Sequence, residues 1–320
     1  MIQTCFNIIV EPDEVVKLKF SKHKIMTLKL PSWYHNVAVN FNDERFLRWA
    51  DNVSECGNFL IFGKYQKAGL KLHRANFCKD RLCPNCNWRR SLRTFSKLTK
   101  IIKSKEFIET KYRSLFLTLT VKNCEVTELH KTIDNLLYSF EKFLKIKEIK
   151  NINKGYFRAL EIKFNKETGF HPHLHVIVCV NSSYFTDPTS YLSQAKFTEF
   201  WKQALNVNDY NPVIDIRKVK DSGGIAEVSK YAVKVDNELF DNIDIETLFH
   251  LRLELYKRRL TGMGGIIRKL AAKLNVGLES DDFVNDLNVD VDDILLALIT
   301  MRWSVGLKTY EVIETEKVGF

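Results

Sequence analysis

RALEIKFNKETGFHPHLHVIVCV, residues 158–180, is the stretch on which the reading of the whole chain turns. Two apolar runs flank the turn-forming residues NKETG (165–169), so the segment reads as a β-hairpin. On a strand, residues two apart share a face, which puts His171, His173 and His175 in one row with Leu174 and Val176 facing the other way. A turn near residue 167 pairs residues whose numbers sum to about 334, and Glu161 then lies across from His173. A His-x-His pair with a cross-strand carboxylate leaves positions open for water and a phosphate oxygen, as a catalytic divalent metal requires. Mixed imidazole and carboxylate donors suit Mn, Mg or Zn.

Outward from the hairpin, YRSLFLTLTVKN (112–123) alternates as a strand, and VTELHKTIDNLLYSFEKFLKIKEI (126–149) carries apolar residues three and four apart, as a helix does. TSYLSQAKFTEFWKQAL (189–205) reads as a helix, VIDIRKV (213–219) as a strand and GGIAEVSKYAVKV (223–235) as a further helix. This order predicts an α+β fold with a central antiparallel sheet flanked by helices. In the last of these helices Glu227, Tyr231 and Lys234 share one face, with Lys230 beside them. A tyrosine hydroxyl is a weak nucleophile at its ordinary pKa near ~10, but a metal-polarised phosphate and the charges of Lys230 or Lys234 would favour phenolate and attack.

Residues 56–86 hold a second cluster. Cys78, Cys83 and Cys86 fall within nine residues, Cys83-Pro-Asn-Cys86 has zinc-knuckle spacing, and Cys56, ahead of His73, is the leading candidate for the fourth ligand to a structural zinc. NWRRSLRTFSKLTKIIKSKEF (87–107) follows as a basic amphipathic helix whose Arg89, Arg90, Arg93, Lys97 and Lys100 would form one charged surface. Beside Trp88, Arg89 and Arg90 are candidate DNA contacts. Three segments result: 1–106 with the cysteine cluster and basic helix, 107–236 as the core, and a mainly helical 237–320 for DNA recognition or packing. Residues 277–293 carry seven acids and no Lys or Arg.

The bulk properties set limits. The 320 residues hold 45% hydrophobic side chains, enough for a real core, and 49 Lys and Arg against 39 Asp and Glu give +10, which favours an anionic partner such as nucleic acid. Seven cysteines without a secretion signal are read as metal ligands and free thiols rather than disulfides, and no apolar run reaches the ~18 residues of a membrane span, so a cytoplasmic location is expected. There is no GxxxxGK(S/T) phosphate loop.

HPHLHVIV, preceded by FLTLT and followed by AEVSKYAVK, resembles the three ordered motifs of HUH endonucleases, most closely the single-tyrosine rolling-circle replication initiators of Gram-positive plasmids. The likeness covers roughly residues 55–270. It implies that His173 and His175 hold the metal with Glu161, and that His171 is a neighbour or DNA contact. It also implies that Tyr231 is the nucleophile, forming a 5′-phosphotyrosyl link, and that Glu227 activates water for the terminating cleavage. Initiators of this kind share the FC-x4-CP-x-C-x-WRR stretch found here at 77–90, which ties the cysteine segment to the fold. The implied partners are double-strand origin DNA, single-stranded DNA, and a host helicase with the replication machinery; such initiators also include homodimers. Two other readings remain open at this point: a relaxase or transposase of a mobile element with the same core, or a non-catalytic zinc-bearing DNA-binding regulator.

Overall fold

The computed structural model describes residues 14–219, 225, 226, 229, 242–277 and 293–318. In chain order the elements are α1 (Glu14–Thr27), α2 (Leu30–Phe41), α3 (Glu44–Ser54), β1 (Phe59–Tyr65), β2 (Gly69–Ala75), α4 (Pro84–Ile102), α5 (Lys105–Glu109) and β3 (Tyr112–Thr120). They continue with α6 (Leu129–Lys145), α7 (Lys147–Ile152), β4 (Gly155–Asn165), β5 (Gly169–Asn181), α8 (Gln194–Leu205) and β6 (Ile214–Lys218). The last are α9 (Ile245–Leu255), β7 (Thr261–Gly264), α10 (Gly265–Lys273), β8 (Leu295–Ser304) and β9 (Thr309–Lys317).

The chain divides into two compact units, one of residues 1–86 with 282–320 and one of 87–281. The second unit is built on a five-stranded antiparallel sheet of order β6-β3-β5-β4-β7. Its central strand β5 is buried almost end to end, which is why HPHLHVIVCV reads as a nearly continuous apolar run. The β4–β5 turn is fixed locally: the Asn165 side chain accepts from the Glu167 and Thr168 amides at 2.8 and 3.2 Å. Gly169 then takes φ +74°, where a Cβ would lie 2.6 Å from the Cys124 carbonyl oxygen. One face of the sheet carries Phe116, Phe157, Ala159 and Ile177, packed against Leu98 and Ile101 of α4 and Ile267 and Leu270 of α10. The other face meets α6, whose Phe140 ring stands edge-on to Tyr156 at 5.2 Å. The buried Trp201 of α8 donates its indole N–H to the Thr120 carbonyl at 2.8 Å.

The first unit has its own four-stranded antiparallel sheet of order β2-β1-β8-β9. Phe20 of α1 stands edge-on to Phe62 and Tyr310 at 5.5 and 6.3 Å, so α1 closes the inner face of this sheet.

Two expectations change here. Residues 237–320 are helical at α9 and α10, but 295–317 form the β8–β9 hairpin, whose β8 pairs with β1 more than two hundred residues earlier. This pairing joins 295–304 to 59–65 within the first compact unit. The cationic stripe of α4 is also not a solvated surface: Arg89, Arg90, Arg93 and Lys97 are buried and only Lys100 is exposed. Two of these long side chains have hydrogen bonds that fix them there: Arg90 Nη1 donates to Asn87 Oδ1 at 2.7 Å, and Lys97 donates to the Gly277 carbonyl.

Candidate metal centres

The register of the central hairpin sets Glu161 opposite His173 and Ala159 opposite His175. Pleating points the three donors to one face, and all three are buried, with side-chain exposures of 0, 3 and 7% for Glu161, His173 and His175. Glu161 Oε2 is 2.5 Å from His173 Nε2 and 2.8 Å from His175 Nε2. Each imidazole is oriented from behind. His173 Nδ1 donates to the His171 carbonyl at 3.0 Å, and His175 Nδ1 lies 3.2 Å from Thr118 Oγ1 on β3. A carbonyl can only accept, so His173 keeps its Nδ1 proton, and Nε2, whose proton faces Glu161, is the nitrogen from which a bound cation would displace a proton. Phe116 stacks on the His175 ring at 5.4 Å, limiting its rotation.

Burial would raise the Glu161 carboxyl, but hydrogen bonds from His173 and His175 outweigh it and hold its pKa at about 2. The carboxylate is therefore ionised at neutral pH. Its second oxygen, Oε1, is buried and has no hydrogen-bond partner among the described residues. An ionised carboxylate with an orphaned buried oxygen, beside two fixed imidazole nitrogens within 4.8 Å, fits a divalent cation. His171, the first of the row, turns to Asn123 instead, its Nδ1 2.5 Å from Asn123 Oδ1.

In the first unit Cys56, Cys78, Cys83 and Cys86 converge to within 4.8 Å of one another. The sulfur pairs Cys56–Cys86, Cys78–Cys86 and Cys56–Cys83 are 3.5, 3.6 and 3.6 Å apart. Four thiolates around zinc at ~2.3 Å stand ~3.8 Å apart along the tetrahedron's edges, so the spacing fits a tetrathiolate site. The open choice for the fourth donor falls on Cys56, which follows α3, whereas His73 is exposed on β2. Backbone amides point at the sulfurs: Cys78 N–H to Cys56 Sγ at 3.4 Å and Asp80 N–H to Cys78 Sγ at 3.5 Å. Burial opposes charge on Cys83, and hydrogen bonds from Cys56, Cys78 and Cys86 outweigh it, holding the thiol well below its ordinary pKa.

Of the other candidates, Arg89 and Arg90 are placed inside the fold, and Glu227, Lys230, Tyr231 and Lys234 lie outside the described residues. Sequence reading did not single out Thr118, although FLTLT was marked as a strand. The signal was its parity: Thr118 pairs with His175 across β3 and β5.

The family model described as Replication protein matches residues 69–310. The chain belongs to this replication-protein family. It is 36% identical over 242 residues to "Protein rep" of Streptococcus pneumoniae, covering 73% of this chain and 75% of that one. It is 35% identical over 288 residues to "Protein rep" of Bacillus amyloliquefaciens, covering 82% and 84%, and 36% over 250 residues to "Protein rep" of Lactiplantibacillus plantarum, covering 74% and 78%. No solved structure gives a significant match. The resemblance to Gram-positive plasmid initiators, drawn from the hairpin and the cysteine stretch, is borne out at the level of the family. Among the described residues, no helix is long and apolar enough to cross a membrane.

Proposed function

We propose that this chain initiates and terminates rolling-circle replication of a plasmid by nicking one strand at the double-strand origin and later rejoining it. The observation that carries this reading is the Glu161-His173-His175 triad, fixed on adjacent central strands of a protein from a replication family. His173, His175 and Glu161 would hold a divalent cation, Mn or Mg by its donor class, which when bound polarises the scissile phosphate and neutralises its charge.

The chain's own residues do the rest. Tyr231 Oη attacks phosphorus, a phosphotyrosyl bond to the 5′ phosphate forms, the P–O3′ bond breaks, and the phenolic proton is passed on so that a free 3′-OH remains for the polymerase. Lys230 and Lys234, on the same short stretch, would favour the phenolate. Glu227, four residues before Tyr231 in the sequence, would deprotonate a water for the terminating cleavage. The Cys56-Cys78-Cys83-Cys86 site would hold a structural zinc. Unwinding would fall to a host helicase in the cytoplasm, since the chain has no phosphate loop of the ATPase type.

The deciding experiment incubates the protein with a labelled single-stranded origin oligonucleotide and Mn²⁺ and looks for an SDS-stable protein–DNA adduct. Wild type should form it, Tyr231→Phe should not, and Glu227→Ala should nick but terminate poorly. An undiminished adduct with Tyr231→Phe would remove the assignment.

A further inference from the structure

Lys24 is 1% exposed, in an α1 that precedes the family match at residue 69. A buried ammonium is costly unless opposite charge and hydrogen bonds compensate it. Its Nζ donates to the Cys56 carbonyl at 2.9 Å and to the Ser54 carbonyl at 3.2 Å, so it is anchored on the backbone of a cluster cysteine. The negative groups within its electrostatic reach are Cys56, Cys83, Cys78 and Glu55. Carbonyl dipoles supply only partial charge, whereas a divalent cation on four thiolates leaves a net charge of −2.

The rest of this helical segment is aimed at the same place. Thr27 Oγ1 lies 3.7 Å from Cys83 Sγ and accepts the Asn85 amide at 3.3 Å. Tyr34 of α2 donates to Asp80 Oδ1 at 3.0 Å, and that oxygen also accepts the Leu82 amide at 2.7 Å, shaping the loop between Cys78 and Cys83. Three buried polar side chains from α1 and α2 thus end on the cysteine loops.

We propose that Lys24 is a positioning residue of the cysteine centre, its ammonium offsetting the charge of the metal-loaded tetrathiolate and so coupling metal retention to the docking of α1. The proposal rests on the structural-zinc reading of the four cysteines. Charge compensation is reciprocal: the cluster makes burial of Lys24 tolerable, and Lys24 offsets part of the charge that the loaded cluster would place in the same buried loops.

The test measures zinc content of the purified full chain, then the rate of zinc transfer to the chelator 4-(2-pyridylazo)resorcinol, for wild type, Lys24→Gln and Lys24→Arg. Glutamine keeps a donor for the two carbonyls but removes the charge; arginine keeps both. Lys24→Gln should release zinc about tenfold faster or more, with Lys24→Arg within about threefold of wild type. In the cobalt-substituted protein, the thiolate-to-metal charge-transfer band should move in Lys24→Gln and not in Lys24→Arg, a change that loss of packing alone does not predict. Equal release rates and bands for wild type and Lys24→Gln would overturn the proposal while leaving the zinc site standing. A wild-type protein without zinc would overturn the zinc reading and the proposal together. Should Lys24→Gln not fold, a folded Lys24→Arg that loses zinc tenfold faster than wild type overturns the proposal, and one that retains it supports it.

Discussion

The Glu-His-His triad is buried, as is the cysteine cluster apart from a half-buried Cys78, and both bring donors to within 4.8 Å of one another, yet the chain builds them in opposite ways. The triad comes from regular structure: two positions two apart on β5 and one cross-strand position on β4, all dictated by pleat and register. The cysteines come from the ends of elements, one after α3, one after β2, one before α4 and one in its first turn. The donor sets differ accordingly. Four thiolates close a tetrahedron, while two imidazoles and one carboxylate leave room for exchangeable ligands. On the function proposed above, this difference is a division of labour, with a centre that would hold structure in one unit and a centre that would do chemistry in the other.

The sharpest way to break that division is to swap the expected phenotypes. His173→Ala should lower nicking of the origin oligonucleotide by about 10³-fold, worth roughly 4 kcal/mol, while shifting the melting temperature by no more than a few degrees. Calorimetry beside the gel assay checks both. A large fall in melting temperature with retained nicking would make the triad a structural feature instead.

Cys83→Ser should show the reverse. A structural zinc can contribute ~10 kcal/mol or more to folding, so weakening one of four ligands should cost several kcal/mol. With a midpoint shift of roughly 2–4 °C per kcal/mol in chains of this class, a drop of about 10 °C or more is expected, together with loss of zinc. Nicking of a short oligonucleotide, normalised to folded protein, should stay within about threefold. If Cys83→Ser instead abolished nicking at unchanged stability, the cluster would belong to the chemistry.

The two centres were not equally legible. The triad could be read because everything it needs is local: the NKETG turn fixes the register, and the pairing of Glu161 with His173 follows from counting outward from that turn. Cys78, Cys83 and Cys86 were legible by spacing, but the choice of Cys56 over His73 depends on where a loop and a strand end in space. Less legible still were the elements whose partners are remote. β8 could not be recognised as the neighbour of β1, since no local period records pairing with a strand over two hundred residues away. Arg89, Arg90 and Arg93 read as part of one charged surface because helical periodicity reports which residues share a face, not whether that face is covered. Lys24 escaped for a related reason: as one of four lysines in α1, it carries no local sign that its ammonium ends on the Cys56 carbonyl.

Metal exchange should separate the centres without mutation. A brief exposure to EDTA should remove nicking activity, and added Mn²⁺ should restore it, while zinc stays with the protein. Only prolonged chelation or mild denaturation should expose the four cluster thiols to a disulfide reagent at pH 8. Cys179 should remain silent as long as the core holds, because burial pushes its pKa up to about 12 and leaves almost no thiolate there. Activity that survived brief EDTA but disappeared in step with thiol exposure would move the chemistry to the cysteines.

The smallest expected effect is the most specific one, and it concerns Thr118. Its Oγ1 stands 3.2 Å from His175 Nδ1, so the hydroxyl sets the orientation of the ring whose Nε2 faces Glu161. Valine has nearly the same shape and keeps the β-branched packing of β3, but it offers Nδ1 no partner. Such outer partners of a ligating histidine typically contribute 10–100-fold in metal affinity. Thr118→Val should therefore raise the Mn²⁺ concentration for half-maximal nicking by about tenfold, with the rate at saturating Mn²⁺ within about twofold of wild type and the melting temperature nearly unchanged. A titration of nicking rate against Mn²⁺ separates the two terms. Should the saturated rate fall while half-saturation stays put, Thr118 would act on DNA rather than through His175, and the division between oriented ligands and open positions at this centre would have to be redrawn.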